Sequence, residues 1–320
     1  MSAAAPPARA TRKHLFDLAD WTPAEVHALF ATAEVMAQVL TRTIKKVPAL
    51  QGYTVGLLFF EDSTRTRLSF DRAARAQSAD VVTFSAGGSS LSKGESLRDT
   101  IQTIDAMQAD LYVVRHPAAG APRQLSNWTD ASIVNGGDGR RAHPTQALLD
   151  AWTFIRNYRG ADAGRIEGKK LAIFGDVAHS RVARSNIELW TKLGGSVTLC
   201  GPNTLVPREF AELDGVTLTG DARAAAEGAH ALMALRLQKE RMAAGLLPSL
   251  AEYAARFQLR SGLLELADPD ALVMHPGPVN RDLEIEGALV DSERSVILKQ
   301  VEAGVPVRMA VLYTLLVGKR

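Results

Sequence analysis

The chain has 320 residues, of which 46% are hydrophobic and 22% charged, with 37 Lys and Arg against 35 Asp and Glu. That length accommodates two domains with substantial cores. A net charge of +2 with dispersed basic residues argues against nucleic acid as a partner and favours a small anion wherever basic residues cluster.

The lone cysteine, Cys200, excludes an internal disulfide and a thiolate metal cage. Seven histidines show no HExxH or paired metal spacing, so no metal is expected. No uncharged apolar run approaches the ~20 residues that cross a bilayer. These features predict a cytoplasmic protein without a membrane segment.

Residues 1–13, MSAAAPPARATRK, lack an apolar signal core and read as a flexible tail. The run from Tyr53 to Phe60 has the length and apolar content of a strand buried on both faces. It hands over to Ser63–Arg67, STRTR, at the start of a helix. The first backbone N–H groups of a helix lack internal partners and sit at the positive end of its dipole, so they attract anions. Ser63 or Thr64 could cap this helix, while Arg65 and Thr66 add donors and an arginine fork matches phosphate. The plainer reading is a capped helix with solvated arginines.

Beyond it, ADVVTF, a helix through ESLRDTIQTIDAMQ, ADLYVVR and ASIVNGG continue the alternation of βαβ units around a parallel sheet. HPTQALLDAWTFIRNY reads as a helix with Pro144 in its first turn, and the polar stretch RGADAGRIEGKK as the domain boundary. The scheme then repeats with KLAIFGD, a helix through SRVARSNIELWTKLG, SVTLCGP, VTLTG, HALMAL and ALVMHPG. The fold class is therefore α/β, with two open parallel-sheet domains. The closing stretch SVILKQVEAGVPVRMAVLYTLLVG is helical in pattern, with Gly304 and Pro306 marking an interruption, and is expected to return to the first domain.

Ligands of open α/β sheets bind beyond the carboxyl ends of the strands. Here those ends carry STRTR, the Gly/Ser-rich segment with Ser89 and Lys93, Arg115 with His116, and NGGDGRRAHPTQ. His143 and Gln146 are three residues apart, on one helix face near its positive end. In the second half, a GxGxxG fingerprint fails at Val177 and Ser180, and no Walker A sequence occurs, so no nicotinamide or ATP cofactor is expected. Arg181, Arg236 and Gln238 follow strands there, the two arginines as forks suited to carboxylates.

Together STRTR, KGES, HPTQALLD, RLQKER and HPGPVNRD resemble the aspartate carbamoyltransferase family, over nearly the whole chain from about residue 14. The resemblance implies a carbamoyl phosphate-binding domain over 14–158, an aspartate-binding domain over 159–290, and a C-terminal helix over 291–320 returning to the first. It implies transfer of the carbamoyl group from carbamoyl phosphate to L-aspartate, an early step of pyrimidine synthesis, without a cofactor. Ser63, Thr64, Arg65 and Thr66 would cradle the phosphate. Arg115, His143 and Gln146 would orient carbamoyl phosphate, with Thr66, Arg115 and His143 donating to its carbonyl oxygen, and Arg65 counted with them as catalytic. Gly277 and Pro278 would offer backbone carbonyls to the carbamoyl amide, and Lys93, Arg181, Arg236 and Gln238 would bind aspartate.

The family's catalytic unit is a homotrimer whose loop carrying Ser89 and Lys93 completes a neighbour's site. Regulatory or dihydroorotase-like partner chains are left open by the sequence. Asp62 stands where many relatives have proline or asparagine. Ornithine carbamoyltransferases share STRTR and HPTQ but carry HCLP where this chain has HPGP, and Arg236 and Gln238 suit an acidic acceptor better. A catalytically silent assembly subunit is the alternative of a different class.

Overall fold

The structure, a computed structural model, describes residues 12–85, 96–237 and 249–317. The chain divides into two compact units, Met1–Thr145 with Gly304–Arg320, and Gln146–Ala303. Both divisions fall inside helices, Pro144–Asn157 and Ile297–Leu316, whereas the sequence reading placed the first boundary at 158–159. Polar, glycine-bearing sequence marks where a chain surfaces, and a helix can pass from one core to the next before that point.

The first unit opens with a helix, Pro23–Thr41, that the sequence reading did not draw. Its signal was available in Thr22-Pro23-Ala24-Glu25. The Thr22 hydroxyl accepts from the Glu25 N–H at 3.3 Å, and the Glu25 carboxylate accepts from the Thr22 N–H at 2.8 Å. This reciprocal box, with proline at the first position, fixes the start. Val26, Leu29, Phe30 and Ala33 then bury one face at helical spacing.

Arg12 donates to both Glu25 carboxylate oxygens, at 2.7 and 2.9 Å. These bonds outweigh the cost of burial and hold the carboxyl at about 2, down from 4.5. A depressed carboxylate pKa stabilises the fold above the unfolded value, and that stability is lost as pH falls from 4.5 through about 2. Glu25→Gln should therefore lower stability at pH 6 by about 1 kcal/mol or less, the range of partly exposed ion pairs. In urea melts the gap from wild type should narrow at pH 3; a gap that widens on acidification would contradict the sign.

Four strands, β1 (Thr54–Phe59), β2 (Asp80–Ser85), β3 (Leu111–His116) and β4 (Ser132–Asp138), form a parallel sheet in the order β2-β1-β3-β4. All of β4 and most of β1 and β3 are buried, as their apolar runs require. Gly56 permits the close packing of β1 on β3, since a Cβ there would lie 2.4 Å from the Tyr112 ring.

The C-terminal helix packs on this unit: Gln77 donates to the Met309 carbonyl at 3.1 Å, and Arg308 to the Ser69 hydroxyl at 2.7 Å. It runs unbroken from Ile297 to Leu316, so the expected interruption at Gly304 and Pro306 is corrected. Pro306 removes one helical N–H donor. Burial of Ala303 before it and of Val307, Met309, Ala310, Val311 and Leu312 after it keeps both sides of the helix on one path.

In the second unit, β5 (Lys170–Phe174), β6 (Ser196–Cys200), β7 (Val216–Thr219), β8 (Ala231–Ala234) and β9 (Leu272–Met274) form a parallel sheet ordered β7-β6-β5-β8-β9. Its core includes Phe174, Leu232, Tyr253, Phe257 and Val273, with Cys200 fully buried among them. Burial pushes the Cys200 thiol up to about 12, which leaves it inert at neutral pH. Among the described residues no helix is long and apolar enough to cross a membrane.

Candidate active site

Each sheet has a point where successive connections leave in opposite directions, and the crevice at that point is where open α/β sheets hold ligands. In the first unit it lies between β1 and β3. Phe59 and Arg115 are register partners there, and the Phe60 N–H donates to the Arg115 carbonyl at 2.9 Å.

The helix after β1 runs Thr64–Ala76 with Ser63 at its N-cap. Of the two candidate caps, Ser63 takes the N-cap position but its hydroxyl makes no capping bond, and Thr64 is already the first helical residue. Extended backbone at Ser63, with φ −162°, presents the residue to the helix start without a closed capping ring. Thr64 and Arg65 are exposed, Thr66 is buried, and Arg67 is half-buried, so the two arginines take different surroundings. Asp62 is exposed just before them.

Arg115 donates to the Glu61 carboxylate at 2.9 Å and to the Gly136 carbonyl at 3.3 Å. Glu61 was absent from the sequence-predicted set; its only local signal was a carboxylate between a buried strand and STRTR. The ion pair aims the guanidinium across the β1 and β3 strand ends. Burial lowers the neighbouring His116 below its ordinary 6.5, so its imidazole is neutral at pH 7.

The β4 turn is shaped by Asp138, which is 1% exposed and accepts from Asn135 Nδ2 at 2.8 Å, the Ala142 N–H at 3.0 Å and the Gly120 N–H at 2.7 Å. His143 follows this turn, buried at the entry to helix Pro144–Asn157. Gln146 sits in the first turn of that helix, where its Nε2 donates to Asp150 Oδ1 at 2.8 Å.

In the second unit the corresponding point lies between β5 and β8. Phe174 pairs with Ala234, and the Leu235 N–H donates to the Phe174 carbonyl at 2.8 Å. Beyond β5, Asp176 accepts from the His179 N–H at 3.1 Å and pairs with its ring nitrogen at 2.8 Å. Ser180 then caps the next helix through the Ala183 N–H at 3.0 Å, which places a buried Arg181 at the helix start. Arg236 follows β8 and is half-buried.

After β9, His275 Nδ1 accepts from the Gly277 N–H at 2.7 Å. The ring proton is therefore on Nε2, which faces Glu284 Oε1 at 3.1 Å. Glu284 also accepts from the Asn280 N–H, at 2.6 Å. Gly277 takes φ +65°, a left-handed conformation that glycine adopts without a Cβ penalty. The turn thus holds residues 277 and 278 by bonds from both ends.

Ser89, Lys93 and Gln238 lie outside the described residues. Among the described residues no three His, Cys, Asp or Glu side chains gather as a metal site.

Two parallel sheets, each with arginines at or beyond the ends of the strands that flank its switch point, define a two-unit α/β protein with a candidate anion site in each unit. Residues 13–156 match the aspartate/ornithine carbamoyltransferase carbamoyl-P binding domain, and residues 167–315 match the Asp/Orn binding domain of the same family. The chain belongs to the aspartate/ornithine carbamoyltransferase family.

It is 58% identical over 307 residues to the aspartate carbamoyltransferase catalytic subunit of Deinococcus radiodurans, covering 96% of each chain. Among solved structures it resembles a Trypanosoma cruzi aspartate transcarbamoylase in complex with N-(phosphonacetyl)-L-aspartic acid. That match has a TM-score of 0.85 at 32% identity, over 97% of this chain and 98% of that one. The ornithine carbamoyltransferase of Pyrococcus furiosus also superposes with a TM-score of 0.85, at 27% identity, over 98% of this chain and 99% of that one. Backbone shape is therefore shared by both acceptor classes, and side chains must separate them.

Proposed function

We infer that this chain is an aspartate carbamoyltransferase, converting carbamoyl phosphate and L-aspartate to N-carbamoyl-L-aspartate and phosphate in pyrimidine synthesis. The observation that carries the reading is the placing of its candidate residues at both switch points. STRTR follows β1 and Arg115 lies at the end of β3; Arg181 and Arg236 follow β5 and β8.

Ser63, Thr64, Arg65 and Thr66 hold the phosphate through hydroxyls, a guanidinium and the helix start. Thr66, Arg115 and His143 donate to the carbamoyl oxygen. Gln146 and the backbone carbonyls of Gly277 and Pro278 accept from its NH2 group. Arg181 and Arg236, with Gln238, hold the aspartate carboxylates, and Lys93 assists them.

The uncharged amine of aspartate attacks the carbamoyl carbon. A C–N bond forms, charge collects on the carbonyl oxygen, and the C–O bond to phosphate then breaks with its electron pair, the leaving phosphate taking up the proton that the nitrogen sheds. Positioning and oxyanion stabilisation supply most of the acceleration, and the reading needs no cofactor. A cytoplasmic homotrimer in which Ser89 and Lys93 complete a neighbouring chain's site belongs to the same reading.

Titration calorimetry with N-(phosphonacetyl)-L-aspartic acid tests it. Binding that saturating carbamoyl phosphate displaces is expected; no binding at millimolar ligand would overturn the assignment.

A further inference from the structure

Asp150 closes the HPTQALLD stretch, is fully buried, and receives three side-chain amides. Gln146 and Gln300 donate to its Oδ1 at 2.8 and 2.7 Å, and Asn186 to its Oδ2 at 2.9 Å. Both Asp150 oxygens act as acceptors in these bonds, so the Gln146 amide turns its NH2 to Asp150 and its oxygen away.

Gln300 is fixed at both ends, because its Oε1 also accepts from the His275 N–H at 3.0 Å. His275 in turn accepts from the Gly277 N–H. One buried carboxylate thus ties Gln146 to the turn that carries Gly277 and Pro278.

We propose that Asp150 is a positioning residue for the carbamoyl amide. It sets the orientation of Gln146 directly, and through Gln300 and His275 it registers the 275–278 turn, so that every acceptor for the substrate NH2 hangs on one carboxylate. The proposal rests on the carbamoyltransferase reading above.

The test is steady-state kinetics with both substrates. Wild-type turnover of carbamoyl phosphate and aspartate checks that reading, and its absence would remove both claims. Asp150→Ala is expected to raise the carbamoyl phosphate KM by about tenfold, the worth of one well-aligned hydrogen bond, with a smaller change in the aspartate KM. Asp150→Asn is expected to recover most of that loss. Its Oδ1 can accept from both glutamines, and its NH2 can meet the Asn186 Oδ1, a buried atom with no hydrogen-bond partner, once the Asn186 amide turns over and gives up its Nδ2 bond to the Val182 carbonyl. In a Gln146→Ala background the Asp150→Ala penalty should shrink.

A wild-type carbamoyl phosphate KM in Asp150→Ala, or an undiminished penalty without Gln146, would overturn the proposal in an active enzyme. Should Asp150→Ala fail to fold, Gln300→Ala cuts the second arm alone. It is expected to raise the carbamoyl phosphate KM several-fold, and an unchanged value would count against the relay.

Discussion

His143→Ala is expected to lower kcat by about 10²–10³, the usual worth of one fixed donor to a developing oxyanion. The side chain is 4% exposed and follows a turn that Asp138 closes with three hydrogen bonds. In the proposed mechanism a donor held there by the protein stabilises charge in the transition state without a reorganisation cost. The loss should appear in kcat more than in the aspartate KM, because nothing in the assignment links His143 to the acceptor's carboxylates. Steady-state kinetics would settle the point, and an unchanged kcat would remove His143 from the mechanism.

Arg236→Ala is expected to act on the other substrate. A hydrogen bond between charged groups contributes about 1.5–3 kcal/mol, which translates to roughly 10- to 150-fold in the aspartate KM. Carbamoyl phosphate binding should change little. Arg236 is half-buried, whereas Arg181 is 6% exposed at a helix start, so truncating Arg181 would also disturb packing. Arg236 is the cleaner probe. A variant whose aspartate KM matches wild type would break the assignment of that guanidinium to a carboxylate.

Much of this was legible in the sequence because parallel strands buried on both faces announce themselves as apolar runs. The runs around β1, β3 and β5 are of that kind, and their loops could be aligned by where each strand ends. The order of strands was not legible, since which neighbours pair depends on contacts across the sheet. Only that order reveals that Arg115 meets the Phe59 end of β1, and that Glu61 pairs with a residue 54 positions away.

The Gln300–Asp150 bond, across 150 residues, is likewise invisible to local pattern. Pro306 was misread for the opposite reason: its local preference is strong, yet the buried face on either side of it prevails. The first helix was there to be found in Thr22, Pro23 and Glu25, three residues whose chemistry marks a helix start.

Backbones of either acceptor class superpose equally well on this chain, so the choice of acceptor tests its side chains most directly. The most direct measurement supplies purified protein with carbamoyl phosphate and either L-aspartate or L-ornithine, following phosphate release and the carbamoylated amino acid together. Product with aspartate alone is the predicted result. Product with ornithine alone would contradict the assignment of Arg181 and Arg236 while leaving the phosphate site of the first unit in place.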